Sequence, residues 1–77
     1  MNVEHIRSRL QGQFRPFAVV TSSGHKFPVP HSDFIFLTAR TVVIADERGY
    51  RVNLDPLHIV GLEDISVPTP STNNGSV

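Results

Sequence analysis

Along most of this chain apolar and polar residues alternate with a period of two, in short runs that turn residues interrupt roughly every 8–12 positions. The runs are Phe17–Ser22, His25–Pro30, Phe34–Thr38, Thr41–Asp46, Tyr50–Leu54 and His58–Glu63. Runs of this length and period predict antiparallel strands with one face buried. With one run taken as a bent continuation of its neighbour, five strands follow. They form a strongly bent antiparallel sheet rolled into a small closed or nearly closed barrel, so the fold class is mainly β.

Only the first residues break the rhythm. Val3, Ile6 and Leu10 fall at i, i+3 and i+7, the spacing of one helical face, and Arg7 and Arg9 flank it. Asn2 suits the cap, Glu4 suits the positive end of the dipole, and Gly12 is a natural stop. A helix this short is unstable alone, so it must dock on the sheet.

Pro16 marks the start of the first strand, because it cannot donate to a ladder. Ser23-Gly24 supplies the positive φ of a tight hairpin, and Asp46-Glu47-Arg48-Gly49 reads as a four-residue hairpin loop with glycine in the late position. Pro28 and Pro30 fall on the same side of His25–Pro30, which predicts an edge strand or a sharp bend. His31-Ser32-Asp33 reads as a polar corner, and Asp55-Pro56 as the cap and first residue of a 3₁₀ turn. Gly61 interrupts the last apolar strand and predicts a bulge or a close packing there.

Size narrows the picture. A chain of 77 residues makes one domain, placed at residues 1–65, and buries only about 60% of its unfolded surface. Its large aromatics Phe14, Phe17 and Phe27 are therefore expected in the core. Residues 66–77 are proline-bearing, uncharged and nearly free of apolar bulk, the composition of a disordered tail. Without cysteine there is no disulfide, thiolate metal site or thiol chemistry. Oligomerisation is a common remedy for a thin core, so a homo-oligomer is expected. The longest apolar runs, Phe34–Leu37 and Val42–Ala45, fall far short of the ~20 residues of a membrane span. The expectation is a cytoplasmic protein with no membrane partner.

Charge and chemistry exclude more than they assign. Seven basic and seven acidic residues cancel, whereas dedicated nucleic-acid modules carry net basic surfaces. His5, His25, His31 and His58 show no metal-ligand spacing, although His25 and His31 approach one another if the strand between them curls. His31-Ser32-Asp33 holds the letters of a catalytic triad, but adjacent corner residues do not align as a relay. No phosphate loop or cofactor fingerprint is present. A non-enzyme without metal or cofactor is expected. Two surfaces remain. Arg7, Arg9 and Arg15, with Gln11 and Gln13, form the only local basic cluster, a candidate patch for a protein partner or RNA. Ile59, Val60 and Leu62 on the last strand form a candidate subunit edge.

Phe14-Arg15-Pro16-Phe17, Ser23-Gly24, His31-Ser32-Asp33-Phe34 and Ile59 with Leu62-Glu63 together resemble a group of small uncharacterised bacterial proteins. The resemblance spans residues 3–64 and implies an SH3-like or Sm-like barrel. A looser likeness extends to bacterial Sm-like RNA chaperones, with two departures. Pro28 stands where those proteins have a strand-bending glycine, and Pro56-Leu57, with His58 one place later, stands where they carry the Lys-His pair of the uridine pocket. The functional expectation is a non-catalytic protein-interaction or assembly module, with an Sm-like RNA-binding protein as the alternative.

Overall fold

The computed structural model describes residues 1–66, so most of the expected tail lies outside the described residues. Helix α1 (Val3–Leu10) comes first, followed by strands β1 (Phe17–Thr21), β2 (Lys26–Val29), β3 (Ile35–Leu37), β4 (Val42–Ala45), β5 (Arg51–Leu54) and β6 (Ile59–Asp64). Single 3₁₀ turns at Ser32–Phe34 and Pro56–His58 occupy the two expected corners. The architecture is mainly β with one short helix, in two antiparallel sheets ordered β2-β1-β6 and β3-β4-β5.

The strand count corrects the expectation. Each of the six runs forms its own strand, because Pro30 and the 3₁₀ turn separate β2 from β3. Proline removes a ladder donor and the turn changes the chain direction, so no strand bends continuously from one sheet into the other. Among the described residues no ladder joins the two sheets.

Local chemistry explains the elements. Asn2 accepts a hydrogen bond from the Glu4 amide at 2.8 Å and caps α1, whose inner stripe buries Val3 and Ile6. The β1–β2 and β4–β5 hairpins share one design. In each, a three-residue loop ends in a glycine with positive φ, Gly24 at 90° and Gly49 at 87°; the second is one residue shorter than expected because the Asp46 amide pairs with the Tyr50 carbonyl. The Gly24 amide donates to the Thr21 carbonyl at 2.9 Å, and the Gly49 amide to the Asp46 carbonyl at 3.0 Å. Asp55 accepts from the Leu57 amide at 2.9 Å, with Pro56 at the first position of its turn.

One core joins all layers. Ile6 from the helix meets Phe17, Val19, Val29 and Ile59 from the first sheet and Ile35, Val42 and Ile44 from the second. Phe14 and Phe27 pack against it, as their size required. The β1–β6 register slips by one residue between Val20 and Thr21, which leaves Val60 as the extra residue of a bulge. The bulge inverts the alternation of β6. It lets Leu62 and Ile59 share the inner face, with Ile59 2% exposed and Val60 turned out at 62%.

Candidate binding surface

The arginine cluster divides once it is folded. Successive helical residues step by about 100°, so Arg7 and Arg9 lie roughly 160° apart on opposite sides of the Val3–Ile6 stripe. Arg7 pairs with Glu4 at 3.2 Å. Arg9 pairs with Asp64 at 2.7 Å and sets its guanidinium 4.9 Å from the centre of the Phe17 ring, so it fastens the helix to β1 and β6. Arg15, Gln11 and Gln13 are exposed in the segment between α1 and β1.

The last strand pairs with β1 along one edge and is engaged at a single carbonyl, that of Ile59, on the other. The Met1 amino group donates to that carbonyl at 3.0 Å and to the Pro56 carbonyl at 2.6 Å. Together with the Arg9–Asp64 pair, this ties α1 to both ends of β6. Of the expected edge residues, Ile59 is core, Leu62 is half-buried and packed on the core, and Val60 sits on the bulge.

The remaining edges differ in what they offer. Hydrogen-bonded and unbonded pairs alternate along an antiparallel ladder. The Thr21 amide donates to the His25 carbonyl, so Phe27 and Val29 bond to β1, while Lys26 and Pro28 direct their backbone groups to the free side. Pro28 has no N–H to present there, so β2 is the edge strand its prolines predicted. On β5 the Asp46 amide donates to the Tyr50 carbonyl, and the same alternation turns Val52 and Leu54 toward β4. Arg51 and Asn53 therefore present both N–H and C=O outward, and no proline interrupts them. Edge β3 is three residues long.

A groove runs between β2 and the β4–β5 hairpin. Phe27, Pro28, Ile44, Tyr50 and Val52 line its central cavity of about 360 Å³. At one end it reaches Pro30 and Phe34, and at the other His25, Asn53, Asp55 and His58. Tyr50, 69% exposed, stands at its rim. His25 and His31 lie at opposite ends of β2 and are not brought together, whereas His25 and His58 border one cavity. Among the described residues no three His, Cys, Asp or Glu side chains converge as metal ligands. His31, Ser32 and Asp33 form the corner, where the Phe34 amide donates to the His31 carbonyl at 3.1 Å.

Arg51, Asn53 and Asp55 were not singled out as site residues from the sequence. Their signal is present as three polar residues at alternate positions, but the sequence does not show that β5 ends a sheet. No helix among the described residues is long and apolar enough to cross a membrane. No family model, curated protein or solved structure matches the chain.

Proposed function

We propose that this chain is a non-catalytic protein-interaction or assembly module that receives its partner by strand addition to β5. In this reading the two sheets are halves of a small SH3-like or Sm-like barrel, opened along the groove between β2 and β5. The observation that carries it is the free edge of β5, with complete donors and acceptors at Arg51 and Asn53, beside an apolar groove. An extended segment gains affinity from main-chain bonds to such an edge and specificity from the pockets its alternate side chains fill.

Selection from a random peptide library, followed by NMR mapping, tests the reading. Bound peptides should shift the amides of Arg51 and Asn53. Asn53→Pro, which removes an outward donor but no bond to β4, should abolish their binding. Salt-sensitive retention of single-stranded RNA, with shifts centred on Arg7, Arg9 and Arg15, overturns this reading in favour of the Sm-like RNA-binding alternative.

A further inference from the structure

We infer that the natural occupant of the β5 edge is β5 of a second copy of this chain, paired antiparallel about a two-fold axis at Asn53. This rests on β5 being the binding edge and names what binds there. Charge complementarity along β5 selects this occupant. Arg51 and Asp55 lie two residues on either side of Asn53 on an extended backbone, with Asp55 at φ −77° and ψ 127°. Both side chains are exposed, and neither has an ion-pair partner among the described residues.

A two-fold axis through Asn53 sets each Arg51 directly opposite Asp55 of the other copy, on the same face of the joint sheet. The same register sets Val52 against Leu54, so the inner-face apolar residues also meet. Asn53 forms a hydrogen-bonded pair with its own symmetry mate. Each Asp55 N–H reaches an Arg51 carbonyl across the axis, while the Asp55 carbonyl stays with His58 at 2.9 Å. Shifting the register by two residues centres it on Val52 and sets Arg51 against Asn53, without the ion pairs. Charge thus selects one self-complementary register, and the paired sheets form one continuous six-stranded sheet.

Sedimentation equilibrium at about 100 µM should give twice the 8.5 kDa chain mass. Arg51→Glu and Asp55→Lys should each weaken association about tenfold, since two symmetric pairs turn repulsive at once. Their equimolar mixture should dimerise again. In the mixed dimer the introduced carboxylate of one chain faces the introduced ammonium of the other, and the retained Arg51 faces the retained Asp55. That recovery also shows that Asp55→Lys, which removes the cap of the 3₁₀ turn, still folds. The chain has no cysteine, so Asn53→Cys is a unique probe. A hydrogen-bonded pair holds its Cα atoms about 5.5 Å apart, so a short bifunctional thiol crosslinker should yield a covalent dimer. A monomer at this concentration, a larger ring, a mixture that does not recover, or an Asn53→Cys that stays monomeric overturns the inference. A monomer whose β5 still binds selected peptides overturns the dimer alone and leaves the proposed function standing.

Discussion

Gly24 and Gly49 close equivalent hairpins, and neither is crowded: a Cβ built on either one meets nothing within 4 Å. Any cost of substitution is therefore conformational, the cost of holding an L-residue at positive φ. Gly24→Ala and Gly49→Ala should each lose about 1–2 kcal/mol in urea denaturation, and the Asn variants should lose clearly less. Arg9 acts differently, through two partners at once. Its bond to an exposed Asp64 carboxylate is screened, so much of its value lies in stacking on Phe17. Arg9→Ala should lose about 1 kcal/mol, and Arg9→Lys should recover only part of it, because an ammonium lacks the planar face. Arg15→Ala, at an exposed site without an ion pair among the described residues, should leave stability within about 0.5 kcal/mol. Equal losses at Arg9 and Arg15 would show that the Phe17 contact contributes nothing.

Edges decide how the elements behave. Pro28 lies opposite Ala18 at a pair that makes no ladder bonds, so its missing donor is missing from the free side alone. Pro28→Val should therefore cost under about 1 kcal/mol, chiefly through greater freedom of the unfolded chain. The same variant restores a full row of donors to β2 and should raise light scattering at high concentration, since an unblocked edge templates pairing between chains. A Pro28→Val protein that unfolds outright would show that the proline supports the strand rather than guarding its edge. On β6 the bulge sets which residues are inside. Deleting Val60 removes the extra residue and leaves Ile59 and Leu62 two positions apart, so plain alternation keeps both on the inner face opposite Thr21 and Val19, and the domain should still fold and melt cooperatively. Val60→Lys keeps the bulge and should be nearly neutral in a melting curve. Ile59→Lys buries a charge in the core and cannot serve to test a subunit edge.

At the scale of the molecule, the shared core makes the two sheets and the helix one cooperative unit. Ile6 belongs to α1 yet packs in the cluster that both sheets line. Ile6→Val removes one buried methyl group and should cost about 1 kcal/mol. In a domain of this size that lowers the melting midpoint by roughly 4–8 °C. The shift should be the same for amides of β1 and of β4 followed by NMR. Separate midpoints would mean that the sheets unfold independently.

The period-two runs, the capped helical spacing of the first residues, the glycine hairpins and the Asp55-Pro56 corner were legible in the sequence, because each depends on neighbours within a few positions. Phe17 and Phe27 were placeable for a related reason: a domain this small has nowhere else to bury a large ring. Pro28 and Pro30 likewise announced an edge or a sharp bend, through a donor they lack wherever the strand lies. What pairs with what is a property of distant segments, and only the tertiary structure decided it. It divided the strands into two sheets, bound the Ile59 carbonyl at the start of β6 to Met1, and committed Arg9 to Asp64 and Phe17. It also put Ile59 inside through a bulge that Gly61 hinted at but could not phase. Arg51, Asn53 and Asp55 read as an ordinary polar face until β5 proved to be the last strand of its sheet. Strand order depends on which chain segments meet, and alternation along one segment carries no information about that.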